Sequence, residues 1–322
     1  PKRIVFAEAD HLDVLKAAQI VHDEKIGIPI LLGRRETFKE LMDEIEFDAD
    51  VQIIDPKSDE EKEHLKAYAK VLWKKRRRKG ITLYDAEKLM RERNYYAAMM
   101  VSEGDADAML SGYSRAYPTV VKPILEIIGL AKGATRIATT NLMNTSRGPL
   151  FISDTSLNID PDAKNLARIA RMTAFTVKLF GMQPVIAMVS YSNFGSSSAG
   201  QAEKVQQAVE YLHRAHPDIL VDGGVQVDFA LNKQMMQSKF PFTKLAGMKV
   251  NTLIYPNLDS ANGTYKLIKE LYHTESIGPI IMGLDKPAHI LQLGASVEEM
   301  VNMAAVSIVD AQEKLKWKQS KK

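Results

Sequence analysis

The chain has 322 residues, 45% of them hydrophobic and 26% charged, an ordinary globular composition with length for two domains or one large two-lobed α/β domain. Its formal net charge of +3 is too small to point to nucleic acid. The lack of cysteine excludes disulfides, thiolate nucleophiles, Fe–S clusters and zinc ribbons, and is compatible with a reducing compartment. No apolar run reaches the roughly 18 residues that a membrane span needs. No signal peptide precedes the first strand, so the cytoplasm is the expected location. The chain opens at Pro1-Lys2-Arg3 without a methionine, and we read it as a piece of a longer protein.

In chain order, residues 4–7 form a short apolar strand, and residues 10–24 carry Leu12, Leu15, Ala18 and Ile20 at helical spacing. Residues 29–33 and 51–55 read as further buried strands with a helix over 36–45 between them. This βαβαβ rhythm predicts a parallel sheet with helices on both faces. Residues 58–79 read as one long charged helix opened by Ser58 and Glu61 at capping-box spacing. Its basic run, residues 74–79, suits a solvated face or a contact with a partner subunit. Helices follow over 82–93, 95–103 and 117–128, with a strand at 107–112. Residues 136–143 and 150–153 look like a strand pair, a hairpin given Arg147-Gly148-Pro149. Helices over 162–180 and 201–213, strands at 185–190, 219–221 and 252–255, and a helix over 264–272 complete the middle. Residues 279–284 then form a strand. A polar turn and short connector lead to a last helix over 296–316, opened by Ser296 and Glu299. Its Met300 and Met303 fit core packing.

The usual signatures are missing. No G-x-G-x-x-G follows a strand, and the Gly278-x4-Gly283 spacing lacks the Lys-Ser/Thr pair of a P-loop. His213 and His216 are the one close histidine pair and suggest no third ligand, so no metal is expected. What remains is a set of small, polar strand ends, 111–115, 190–198 and 257–263, each read as preceding a helix. Backbone N–H groups there, with Arg115, Lys122 and Lys286 nearby in sequence, argue for a phosphorylated ligand. Binding alone and catalysis both fit that pattern. Strand-end position makes residues 285–294 the first place to look for a ligand.

Residues 185–196, Asp222-Gly223 with Gln226 and Asp228, Asn262-x-x-Tyr265-Lys266, residues 275–287, Gly104-Asp105-Ala106-Asp107 and Asp310-Ala311-Gln312 resemble phosphate acetyltransferase, over nearly the whole chain. Ser192-Asn193-Phe194-Gly195-Ser196, Gly112-Tyr113-Ser114-Arg115-Ala116-Tyr117-Pro118 and Val301-Asn302-Met303-Ala304-Ala305 are similar to the acetyltransferase-like C-terminal domain of hybrid NADP-dependent malic enzymes. The resemblance implies two parallel-sheet αβα lobes around a cleft, of the isocitrate/isopropylmalate dehydrogenase-like, phosphate acetyltransferase type. Residues 1–163 with 278–322 would form one discontinuous lobe and 164–277 the other.

Active members of that family carry Ser-Arg-Gly near the end, where this chain has Gln292, Leu293 and Gly294, with Glu299 near a family aspartate and Lys122 at a family arginine. The serine and aspartate are associated with activating the thiol of coenzyme A, and the arginine with anionic charge. Gln292 is no base and Leu293 no cation, so little acetyl transfer is expected. No catalytic residue is therefore assigned. The resemblance implies acetyl-CoA as an allosteric, inhibitory effector of a malic enzyme, with oligomerisation and with no metal or nicotinamide cofactor in this chain. Its implied contacts are Ser190, Ser192, Asn193, Ser196, Asn262, Pro279, Met282, Lys286, Gln292, Arg115 and Lys122. The implied partners are a second copy of the chain and a malic enzyme catalytic domain in the same parent chain. An active phosphate acetyltransferase and a purely structural dimerisation domain are the alternatives.

Overall fold

Ile4, Val5 and Phe6 are fully buried, as a strand covered on both faces requires. They sit at the middle of a five-stranded sheet in the computed structural model, which describes residues 1–197 and 199–319. Ser198, at the end of one expected loop, lies outside the described residues. The chain divides into two compact units, one built from Pro1–Arg136 and the segment from Gly283 onward, the other from Ile137–Met282.

The first unit holds strands β1 (Arg3–Phe6), β2 (Ile28–Leu32), β3 (Gln52–Ile54) and β4 (Ala108–Ser111), joined by a late strand, β11 (Ala288–Ile290). Their order is β11-β4-β1-β2-β3, and every pair is parallel. Helices α1 (Leu12–Asp23), α2 (Arg35–Glu44), α3 (Lys62–Arg76), α4 (Leu83–Met90), α5 (Arg93–Glu103), α6 (Tyr117–Ile127) and α12 (Val297–Gln319) accompany the sheet. The long helix expected over 58–79 is shorter. It starts at Lys62 and gives way to a 3-10 turn at Arg77–Lys79, closed by Gly80 at φ +85°. Half of the expected capping box forms: Glu61 N–H donates to Ser58 Oγ at 3.4 Å, but Ser58 N–H donates to the Asp55 carbonyl at 3.0 Å, and the Glu61 carboxylate accepts from the Tyr96 hydroxyl at 2.6 Å. Part of the basic run is internal: Arg76 pairs with Glu126 at 2.8 Å, and Glu126 also accepts from Tyr95.

The second unit holds β5 (Ala138–Thr145), β6 (Gly148–Ser153), β7 (Ile186–Val189), β8 (Val221–Val225), β9 (Thr252–Ile254) and β10 (Ser276–Met282), in the order β10-β5-β6-β9-β7-β8. This sheet is mixed rather than wholly parallel: β10–β5 and β5–β6 are antiparallel, whereas β6–β9, β9–β7 and β7–β8 are parallel. The β5–β6 hairpin is the strand pair expected at Arg147-Gly148-Pro149. Because it joins the second sheet, the unit boundary falls at Ile137 rather than at residue 164. Helices α7 (Ala163–Leu179), α8 (Gln201–Ala215), α9 (Val227–Leu231), α10 (Lys233–Lys239) and α11 (Leu258–Tyr272) belong here. Among the described residues three apolar clusters fill this unit: one with Leu166, Ile186 and Met282, one with Leu150, Leu253 and Tyr265, and a smaller one with Leu142, Phe151 and Val177. Among the described residues no helix is long and apolar enough to cross a membrane.

Candidate functional site

In the first unit the centre of the site is Glu8, which the sequence reading passed over. It lies two residues past the end of β1 and is 5% exposed. One carboxylate oxygen accepts from the backbone N–H of Gly112 at 2.5 Å and that of Tyr113 at 2.8 Å, with the Ser111 hydroxyl 3.2 Å away but donating at the shorter distance of 2.6 Å to Asn94 Oδ1. The other accepts from the N–H of Ser114 at 3.1 Å and its hydroxyl at 2.6 Å. Successive N–H groups of this kind form a concave anion receptor. Here an internal carboxylate fills it. The expectation that the N–H groups of loop 111–115 meet a ligand phosphate is therefore corrected, since those of residues 112–114 are bound by Glu8. The only signal in the sequence was an acid placed at the carboxyl end of a fully apolar strand.

The same loop meets the connector after β11. Leu291 N–H donates to the Ser111 carbonyl at 2.7 Å, and Gly294 N–H to that of Tyr113 at 3.4 Å. Gly112 has φ +99°, and a Cβ there would stand 2.6 Å from Ile290 Cγ2. Glycine is thus needed for both conformation and close approach. Gln292 is half-buried, while Leu293 is 68% exposed and offers neither base nor cation. Glu299 accepts from Ser296 N–H at 2.9 Å, and its own N–H donates to the Ser296 hydroxyl at 3.1 Å, so it completes the expected capping box. Arg115 and Lys122 are exposed and make no hydrogen bond or ion pair among the described residues. Lys286 is elsewhere. Its Nζ donates to the carbonyls of Val101 and Ser102 at 2.7 and 2.8 Å, at the end of α5, where a cation meets the negative end of the helix dipole.

In the second unit, the loop after β7 is tied by its own polar side chains. Ser190 Oγ accepts from Ser192 N–H at 3.2 Å, Ser192 Oγ from Ser197 N–H at 3.0 Å, and Ser196 Oγ from Asn193 N–H at 3.0 Å. Asn193 and Gln226 exchange two hydrogen bonds of 2.9 Å, which fasten the loop to the start of α9. These side chains act as turn residues here. Ser190 and Ser192 are buried, and Ser196 is exposed. Gly224 permits the packing, because a Cβ there would lie 2.7 Å from Ser190 Cβ.

The stretch 257–263 is no strand-end loop. Helix α11 already begins at Leu258, capped by the Asn257 side chain, which accepts from Ser260 N–H at 3.0 Å. Asn262 lies within the helix and donates to the Thr155 carbonyl at 2.9 Å. Pro279 is buried, and Met282 packs in the apolar cluster with Leu166 and Ile186. His213 is not at the surface alone: its Nε2 lies 2.8 Å from the Val221 carbonyl oxygen. Among the described residues no three His, Asp or Glu side chains are grouped as a metal site would need.

A family profile described as phosphate acetyl/butaryl transferase matches residues 1–308. The chain belongs to that family. The phosphate acetyltransferase of Thermoanaerobacterium thermosaccharolyticum is 35% identical over 318 residues, 97% of this chain and 95% of that protein. The NADP-dependent malic enzyme of Rhizobium meliloti is 34% identical over 315 residues, and the chain spans 41% of its length. The solved phosphotransacetylase of Streptococcus pyogenes superimposes with a TM-score of 0.88 at 36% identity, over 97% of this chain and 94% of that one.

Proposed function

We propose that this phosphate acetyltransferase-type chain is a non-catalytic regulatory domain of an NADP-dependent malic enzyme. In this reading it binds acetyl-CoA as an inhibitory effector and mediates assembly of the oligomer. The observation that carries the reading is the connector beside loop 111–114. Gln292 and Leu293 stand where acetyl transfer needs a base for the thiol and a cation for developing oxyanion charge. Glu299 is engaged with Ser296, and the nest formed by residues 112–114 holds Glu8. Loss of one such electrostatic group commonly removes about 10²–10³ in rate. The unpaired cations Arg115 and Lys122 keep an anion-attracting surface without supplying a base.

Effector control follows from linkage: acetyl-CoA that binds one arrangement of the parent oligomer better shifts the population toward it. The isocitrate/isopropylmalate dehydrogenase-like architecture belongs to the same proposal, supported by two α/β units each with its own sheet. So do Ser190, Ser192, Asn193, Ser196, Asn262, Pro279, Met282, Lys286 and Gln292 as acetyl-CoA contacts, together with Arg115 and Lys122. A fused malic enzyme domain is supported by the 41% span of the Rhizobium meliloti relative.

A second reading, an active phosphate acetyltransferase, draws on 35% identity across 95% of an acetyltransferase of similar length. A coupled assay with acetyl phosphate and coenzyme A, paired with acetyl-CoA calorimetry, separates the two. Binding heat without turnover is the expected result, and turnover within tenfold of an active acetyltransferase would replace the regulatory reading. Neither heat nor turnover would leave a structural domain.

A further inference from the structure

A pocket of about 780 Å³ opens in the second unit, lined by the β5–β6 turn, the residues ahead of β9, the start of α10 and the end of α11. Strands β6, β9 and β7 are mutually parallel. Residues preceding β6 and β9 therefore lie at the opposite end of the sheet from the loop that follows β7, roughly 13 Å away for a four-residue strand. The volume is in the range of small-molecule sites, about 300–1,000 Å³.

The chemistry of the lining is two-sided. Leu150 and Val250 from the apolar core, with Ile268 packed against them, make a floor. Arg147, Lys233 and Lys249 are exposed at the rim, where Glu275 is the one acid. Glu275 offsets one of these charges at most and forms no ion pair with them among the described residues; its carboxylate accepts from Asn144 Nδ2 at 3.4 Å. Lys233 and Lys249 make no hydrogen bond or ion pair among the described residues. The Arg147 guanidinium makes one hydrogen bond among the described residues, to the Leu231 carbonyl at 3.2 Å, which leaves other guanidinium donors for a ligand. Tyr272, 76% exposed, adds an aromatic face. Three cations of one sign around an apolar floor repel one another until an anion arrives, and a dianion satisfies them better than a single charge.

We propose that this pocket binds a phosphomonoester of a flat, mostly apolar group. The phosphate would sit among Arg147, Lys233 and Lys249, and the ring on Leu150, Ile268 and Tyr272. The site does not depend on the acetyl-CoA reading, because none of the residues implied as acetyl-CoA contacts lines it.

Phenyl phosphate is the probe, titrated into the full chain and followed by amide chemical shifts and calorimetry. Shifts should concentrate at residues 144–150, 231–233, 248–250 and 268–275. Lys233→Ala with Lys249→Ala should weaken phenyl phosphate at least tenfold while leaving the thermal midpoint and acetyl-CoA response unchanged. Affinity should also fall as salt rises, because exposed cations are screened over about 8 Å at physiological ionic strength. Inorganic phosphate should bind at least tenfold more weakly than phenyl phosphate, and equal binding would remove the apolar half of the proposal. Shifts confined to other residues, or an affinity untouched by the double substitution, would overturn it.

Discussion

Glu8 shows how much one side chain can organise. Its carboxylate, itself buried, answers three backbone N–H groups and the Ser114 hydroxyl, from the buried Gly112 out to the exposed Ser114. Removing it leaves buried donors without acceptors, each costing about 1–3 kcal/mol. Glu8→Ala should therefore destabilise the chain by about 3 kcal/mol or more, read as a lower urea midpoint. Glu8→Gln keeps one acceptor but turns an N–H₂ toward the other donors, and should recover less than half of the loss. A midpoint unchanged in both variants would mean that the nest does not need its carboxylate. His289 offers a second test. It is fully buried on β11, and burial pushes its pKa down to about 4, while Asp310 at 4.0 Å pulls it partly back. The unfolded histidine takes up its proton near pH 6.5 and the folded one only near pH 4. Stability should thus fall as pH drops between those values, by on the order of 3 kcal/mol in total. His289→Leu should flatten that part of the urea midpoint against pH, and an unchanged slope would assign the acid sensitivity to other groups.

At the scale of elements, the turn ahead of β11 ties down the end of α5. Lys286 closes α5 by two hydrogen bonds to its last carbonyls, and such charge-assisted contacts contribute about 1–3 kcal/mol. Lys286→Ala should lower stability by that amount, with amide exchange in residues 98–103 accelerated first. Acetyl-CoA affinity that stays constant in the same variant would take Lys286 out of the proposed ligand set. Helices α9 and α10 show why some elements escape a sequence reading. With 5 and 7 residues, they are too short for the 3.6-residue period to register. The start of α11 was missed for another reason: Gly263 reads as a turn residue, yet it lies inside the helix that the Asn257 cap opens.

For the whole molecule the decisive quantity is linkage between ligand and stability. A ligand that binds only the folded state adds about 2.7 kcal/mol when present at a hundred times its Kd. Acetyl-CoA should accordingly raise the thermal midpoint, by an increment that grows with the logarithm of its concentration. A midpoint indifferent to acetyl-CoA up to millimolar levels would leave the regulatory proposal without its ligand. Light scattering checks assembly independently, and a chain that stays monomeric at tens of micromolar would remove the oligomerisation part.

Much of this was legible in order along the chain. Continuous apolar runs such as Ile4-Val5-Phe6 and Ile30-Leu31-Leu32 determine doubly covered parallel strands, because no polar face is left for water. Local spacing likewise determined the Ser296–Glu299 cap, whose partners are three residues apart. The chemical character of Gln292 and Leu293, and with it the expectation of lost chemistry, is a property of residue type alone. What the tertiary structure decided is where long-range partners meet. Residues 278–296 read as one strand and a connector, yet β10 pairs in the second sheet and β11 in the first. The backbone hydrogen bonds that separate them are made to residues more than 100 positions away, and no local pattern encodes them. The filling of the 112–114 nest by Glu8 is of the same kind: a loop of small residues can bind any anion, and only the packing of β1 beside β4 supplied one from within.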